Sequence, residues 1–144
     1  MFYFDTSFVA PLILEELSSR RIQEFVVQLA NEKWAVSHWT CVEFSSLLAR
    51  EVRMRRMVQQ DALEADNRFR KMIAESFVEL SPTRDDFDLA GQYLRNYATG
   101  LRAGDALHLA VARNHHVRTL YTLDKTMLKA GLLLGLPIKD TEMP

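Results

Sequence analysis

Apolar residues along the chain fall into short runs, separated by longer segments in which apolar positions recur every three or four residues. Short apolar runs bounded by polar or turn residues are typical of buried strands. They predict strands at Met1–Phe4, Trp34–Ser37, Phe77–Leu80 and Val117–Thr122, with a last edge strand at Leu136–Lys139.

The segments between these runs have the spacing of amphipathic helices. One of them, Ala103–Arg113, is apolar almost all round, which is typical of a deeply buried helix. Pro82 suits the first turn of its helix, and Gly131 interrupts the last helix. The predicted helices are Ser18–Leu29, Thr40–Met57, Gln59–Ala74, Pro82–Ala98, Ala103–Arg113 and Lys125–Leu134.

The alternation of strands and helices predicts an α/β fold with three layers. A central parallel sheet of four to five strands would carry helices on both of its faces, joined by right-handed crossovers. The sequence contains no internal repeat, low-complexity tract or long linker. We therefore expect a single domain spanning residues 1–144.

Composition narrows the classes of protein to consider. The 144 residues are 48% hydrophobic and 26% charged, an ordinary balance for one well-buried core. The net charge of -1 supplies no bulk attraction to nucleic acid, so such a partner requires a local basic patch or a metal. The single cysteine, Cys41, excludes an internal disulfide and fits a reducing compartment. No apolar run is long enough for a membrane span, and residues 1–5 lack signal-peptide features, so we expect a cytoplasmic protein without membrane contact.

Four carboxylates occupy positions where strands end or helices begin. Asp5 follows the first strand and Asp124 the fourth, while Glu43 and Asp105 lie near the starts of helices. Ligands bind outside the carboxyl ends of the strands in an open parallel sheet, so one cleft can gather all four acids. Buried carboxylates need a partner, and hard cations such as Mg²⁺ or Mn²⁺ prefer oxygen ligands. The pattern therefore indicates a metal site.

Each acid also has an ordinary structural explanation. Asp5 and Asp124 suit helix caps, and Glu43 suits the solvated border of an apolar helix face. Asp105 could form an ion pair with Arg102 or His108. Four independent caps need not meet at one end of a sheet, however, and this shared position favours the metal site.

Acids around Mg²⁺ or Mn²⁺ suit the hydrolysis of phosphodiesters, because the metal activates water and stabilises charge on phosphate oxygens. Ser7 and Thr122 could bond a ligand or the scissile phosphate, although each residue taken singly favours a structural role, a helix cap for Ser7 and a strand end for Thr122. A basic stripe across the helical hairpin could hold a polyanion, or it could be a solvated surface. The stripe consists of Arg50, Arg53, Arg55, Arg56, Arg68, Arg70 and Lys71.

Several segments resemble the PIN domain ribonucleases, especially the VapC-type toxins of toxin–antitoxin pairs. These are FDTS at Phe4–Ser7, VEF at Val42–Phe44, LRAGDALHLAVA at Leu101–Ala112 and LYTLDKTML at Leu120–Leu128. The resemblance covers nearly the whole chain, and RAGDALHLA is its most specific piece. It implies a PIN fold that cleaves RNA with Mg²⁺ or Mn²⁺.

The resemblance also assigns roles to residues and partners. It makes Asp5, Glu43, Asp105 and Asp124 the catalytic metal ligands, and it places Ser7, Arg102 and Thr122 at the pocket. It implies a homodimer and a small VapB-like antitoxin whose tail blocks the pocket. Gly104 departs from the family pattern, in which a bulkier residue often precedes the third acid, and could loosen the entry to the helix.

Two other functions remain open from the sequence. The first is a catalytically silent PIN-fold module that binds RNA or a protein, although all four acids are present. The second is a receiver or phosphatase-like domain, which also gathers acids at strand ends. Lys125 is the one lysine in a convincing position for that phosphate chemistry.

Overall fold

The computed structural model describes residues 1–142 and contains one five-stranded sheet. Every pair of neighbouring strands is parallel, in the spatial order β3-β2-β1-β4-β5. This confirms the predicted α/β fold with a central parallel sheet. The strands are β1 (Phe2–Phe4), β2 (Trp34–Ser37), β3 (Phe77–Leu80), β4 (Thr119–Tyr121) and β5 (Ile138–Lys139).

Helices connect the strands and cover both faces of the sheet. The short first helix and the 3-10 turn at Ala10–Leu12 that follows it were not predicted as separate elements. Within residues 1–142, no helix is both long and apolar enough to cross a membrane. The helices are α1 (Thr6–Val9), α2 (Ser19–Gln28), α3 (His38–Arg53), α4 (Gln59–Ser76), α5 (Arg84–Arg95), α6 (Ala103–Asn114) and α7 (Lys125–Leu133).

Successive residues on the central strands point to opposite faces and supply two separate cores. Tyr3 and Leu120 face the core that contains α5, α6 and α7. Phe4 and Tyr121 face the other core, against α1 and the hairpin of α3 and α4. This period of two is what a sheet buried on both faces requires, and it produces three layers.

Local backbone chemistry corrects two of the predicted helix boundaries and one predicted interruption. Pro82 precedes α5 instead of opening it, because Thr83 caps the helix and exchanges hydrogen bonds with Asp86. The third helix ends at Arg53, not Met57, since Arg55 adopts a left-handed turn with φ of 56°. The last helix runs straight through Gly131, so the predicted interruption is wrong.

Gly131 lets the last helix approach the edge strand closely. A Cβ at this position would lie 2.8 Å from Cγ2 of Ile138. We expect Gly131→Ala to lower the free energy of unfolding by about 1–3 kcal/mol through overpacking. Urea unfolding of Gly131→Ala, Ile138→Ala and the double variant checks this cause. The double variant should be less destabilised than the sum of the single variants, and simple additivity would contradict the proposed clash.

Candidate active site

The four predicted acids line one cleft with a volume of about 460 Å³ at the carboxyl edge of the sheet. Asp5 directly follows β1, and Asp124 lies just after β4, the strand paired with β1. Glu43 lies in the second turn of α3, and Asp105 lies in the first turn of α6. The parallel sheet therefore brings together residues that are far apart in the sequence.

Asp5 is buried at the base of the cleft and accepts several hydrogen bonds. Ser7 Oγ donates to Oδ1 at 2.8 Å, and Thr122 Oγ1 donates to Oδ2 at 2.6 Å. The backbone N–H of Phe8 also donates to Oδ1, so Asp5 caps α1 as well as lining the cleft. Burial raises the pKa of Asp5 to about 6, although the charge of His108 and these hydrogen bonds oppose the increase.

Glu43 is held by side chains from two other elements. His108 Nε2 donates to Oε2 of Glu43 at 2.7 Å, and the Thr6 hydroxyl donates to the same oxygen. Burial alone would raise the pKa of Glu43, but the hydrogen bond and charge of His108, together with Thr6, lower it below its ordinary value. Glu43 is thus an ionised carboxylate in the wall of the cleft, and the solvated helix border is not its environment.

Asp105 and Asp124 both line the cleft and repel each other electrostatically. Burial raises the pKa of Asp105, and the charge of Asp124 raises it further. Asp124 also caps α7 by accepting from the N–H of Met127 at 2.8 Å. Within residues 1–142, Asp105 forms no ion pair with Arg102 or His108, although the charge of each partly offsets the increase in its pKa. Arg102 lines the same cleft.

The donor chemistry of the cleft fits a hard divalent cation. Its ionisable oxygens are carboxylates, and the repulsion between Asp105 and Asp124 is of the kind that a cation relieves. In the described part of the chain, however, no three His, Cys, Asp or Glu side chains are close enough together to hold a metal ion. Glu43 uses one oxygen, Oε2, to accept from His108 and Thr6. Cation binding would therefore have to draw the carboxylates of the cleft closer together than they lie here.

The basic stripe predicted across the hairpin is divided between different surfaces. Arg50 and Arg53 lie in the wall of the cleft, about two and three turns along α3 from Glu43. Arg56 is paired with Glu51 at 2.7 Å, and Arg70 is paired with Asp66 at 2.7 Å. The stripe therefore does not act as one continuous surface, and two of its members remain candidates for contact with a ligand.

Three residues at the site have roles that sequence reasoning did not assign. Thr6 bonds Glu43, Tyr3 bonds His108, and His108 bonds Glu43 instead of Asp105. The three-residue spacing from Asp105 to His108 placed His108 on the correct side of its helix. Nothing in the sequence indicated that Tyr3 would reach it, because that contact depends on how α6 packs on the sheet.

A family model for the PIN domain matches residues 2–132 of the chain. The protein belongs to the PIN domain family. The resemblance noted in the sequence is thereby confirmed at the level of the family. No sequence match was found among curated proteins.

Solved structures share the same PIN fold at low sequence identity. FitAB bound to a DNA fragment superposes with a TM-score of 0.76 at 17% identity, over 100% of this chain and 97% of that one. VapBC-1 from nontypeable Haemophilus influenzae gives 0.72 at 14% identity, over 99% and 100%. VapC20 from Mycobacterium tuberculosis, a toxin that cleaves the sarcin–ricin loop, gives 0.69 at 22% identity, over 91% and 95%. This PIN domain is thus similar in fold to toxins and toxin–antitoxin complexes.

Proposed function

We propose that the protein is a metal-dependent endoribonuclease, the toxin of a VapBC-type toxin–antitoxin pair. The observation that carries the proposal is the position of four carboxylates along one cleft of a PIN domain. No other described cleft combines this many acids with arginines at its rim. Such a cleft suits a phosphodiester substrate: the arginines at the rim would bind its phosphates, and the acidic site would hydrolyse the phosphodiester bond.

Asp5, Glu43, Asp105 and Asp124 would hold Mg²⁺ or Mn²⁺ in this protein. Such an ion, when bound, lowers the pKa of a water molecule and stabilises negative charge on the phosphate. The protein's own contribution is to keep the carboxylates ionised and correctly oriented. Ser7 and Thr122 do this for Asp5, because each donates a hydrogen bond to one of its oxygens.

Arg53 is the arginine best placed to bind RNA outside the acidic centre. It lies in the cleft wall and, among residues 1–142, makes no ion pair, whereas Arg56 is held by Glu51. We expect Arg53→Gln to weaken RNA binding and to reduce the slope of log affinity against log salt by about 0.7, the value for one lost phosphate contact. Salt titrations in an inactive Asp105→Asn background measure this. Arg56→Gln is the matched control, and an equal effect there would contradict the assignment.

Partners follow from the same proposal. The FitAB and VapBC-1 structures each contain a chain with a fold like that of this protein. This similarity supports a VapB-like antitoxin as its partner. We also propose a homodimer located in the cytoplasm. Size-exclusion chromatography with light scattering, done on the protein alone and co-expressed with the product of a neighbouring gene, tests both assemblies.

The decisive experiment is RNA cleavage by purified, antitoxin-free protein in Mg²⁺ or Mn²⁺. Discrete fragments should form from total cellular RNA, disappear with EDTA, and disappear in the Asp105→Asn variant. Asp85→Asn is the matched control, because Asp85 is exposed on α5 outside the cleft. RNA binding without cleavage in every metal would overturn the nuclease assignment and favour the catalytically silent binding module.

A further inference from the structure

A buried chain of hydrogen-bonded side chains runs from the sheet to the Glu43 carboxylate. The Tyr3 hydroxyl donates to Ser37 Oγ at 3.0 Å and is hydrogen-bonded to Nδ1 of His108 at 2.7 Å. His108 Nε2 then donates to Oε2 of Glu43 at 2.7 Å. Tyr3 and Ser37 are fully buried, and His108 is 2% exposed. The network therefore reaches the cleft at His108 and Glu43, while Tyr3 and Ser37 lie behind them.

This network places polar side chains in a part of the core that otherwise consists of apolar residues. Tyr3 belongs to the core around Leu109 and Leu120, while its neighbours in β1 are both phenylalanine. A buried hydroxyl or imidazole destabilises the fold unless it is hydrogen-bonded. The Tyr3 hydroxyl and both ring nitrogens of His108 have hydrogen-bond partners. His108 and Glu43 both line the cleft, and the bond from His108 Nε2 connects the buried part of the network to the Glu43 carboxylate.

The opposite side of the Glu43 carboxylate is confined as well. A Cβ on residue 104 would lie 2.6 Å from Oε1 of Glu43 and 3.1 Å from Nε1 of Trp39. The absence of a side chain at Gly104 thus makes room for the carboxylate and the indole. This explains the departure from the family pattern: Gly104 fits its neighbours closely, and the expected loosening of the helix entry is not found. Oε2 is fixed by His108 and Thr6, and Oε1 lies against α6.

We propose that His108, braced by Tyr3, is a positioning residue that fixes the Glu43 carboxylate for the divalent cation, in a space that Gly104 leaves open. The inference rests on the proposed function in one respect, namely that Glu43 contacts the cation. Groups that orient a metal ligand commonly change metal affinity by about 10–100-fold when they are replaced. His108 orients Glu43 directly through its hydrogen bond, and Tyr3 acts on Glu43 through His108.

The test is the affinity of the full chain for Mn²⁺, measured by calorimetric titration without RNA. His108→Leu should weaken Mn²⁺ binding by about 10-fold or more, because it removes the donor to Glu43. His108→Gln should recover part of this loss, since its amide N–H can donate in the same direction. Tyr3→Phe removes only the hydroxyl and should give a smaller loss. Gly104→Ala should weaken binding without deleting any hydrogen bond, by displacing Oε1.

Asp86→Asn is the matched control for general loss of stability. Asp86 is fully buried and bonded to Asn114 and Thr83, away from the cleft. Thermal unfolding of each variant shows which proteins are folded at the titration temperature. We expect Asp86→Asn to lower the unfolding temperature and to leave Mn²⁺ affinity unchanged, so that stability and affinity are separated.

Two results would overturn the inference, and they differ in what else they affect. If Glu43→Gln weakens Mn²⁺ binding but His108→Leu and Tyr3→Phe do not, the positioning role is wrong and the proposed function stands. If the unaltered protein binds no Mn²⁺, or Glu43→Gln changes nothing, the role of Glu43 as a ligand fails, and the positioning role fails with it. Recovery by His108→Gln together with an unaffected Asp86→Asn supports the inference.

Discussion

Asp5→Asn is expected to reduce RNA cleavage on the order of 100-fold or more while leaving the fold intact. The substitution removes a charge worth several kcal/mol to a bound cation, and about 1.36 kcal/mol corresponds to tenfold in rate. Asparagine is as good a helix cap as aspartate, so the entry to α1 is preserved. Single-turnover cleavage of a defined RNA fragment in Mg²⁺ measures the effect.

The control for this experiment is a comparison of the fold and stability of Asp5→Asn with those of the unaltered protein. Circular dichroism and the urea midpoint of Asp5→Asn should match a properly folded domain, because Oδ1 of asparagine still accepts from Ser7 and from the N–H of Phe8. Thr122 Oγ1 would then accept from the new Nδ2 amide instead of donating to Oδ2. Cleavage that continues at the original rate in the folded variant would contradict the assignment of the cleft. It would point to a contaminating nuclease or to a different site.

Phe44→Ala is expected to give the largest loss of stability, about 3–5 kcal/mol in the free energy of unfolding. Phe44 is fully buried and stacks on Phe69 of α4, with ring centroids 4.0 Å apart and an angle of 12° between planes. The substitution removes most of the side chain and leaves a cavity between α3 and α4 that the sheet cannot fill. Urea unfolding monitored by circular dichroism measures the change.

Leu63→Ala on α4 provides the comparison, because Leu63 is 53% exposed in the same hairpin. Its effect should stay near 0.5 kcal/mol, the usual limit for surface substitutions. A loss for Phe44→Ala as small as that for Leu63→Ala would mean that the two helices do not pack as described. A hairpin that packs loosely could not hold Glu43, the neighbour of Phe44, in the cleft wall.

The strands could be predicted from the sequence because both faces of the sheet are buried. Trp34–Ser37 and Phe77–Leu80 match the observed strands at both ends, since apolar runs bounded by polar residues are a strong local signal. Helix ends were less predictable. The boundary at Thr83 depends on a side-chain bond to Asp86, and the boundary at Arg53 depends on a left-handed residue two positions later.

The position of the acids could be predicted, but their hydrogen-bond partners could not. The rule that strand ends meet at one edge of a parallel sheet is enough to bring Asp5 and Asp124 to one cleft. The bond from His108 to Glu43 requires the packing of α6 against α3, which no local pattern contains. The same limit applies to Gly104, because its close approach to Glu43 depends on the packing of α6 against α3 and not on a local pattern.

The three-residue strand at the middle of the sheet has a consequence for how the molecule loses its structure. Neighbouring residues Tyr3 and Phe4 are anchored in different cores, on opposite faces of the sheet. Melting of either helical layer therefore frees a side chain on the same short segment of backbone. Such coupling favours cooperative, all-or-none unfolding over stepwise loss of one layer. Since Asp5 is the next residue along that segment, the acidic cleft and the whole domain should disappear in a single transition.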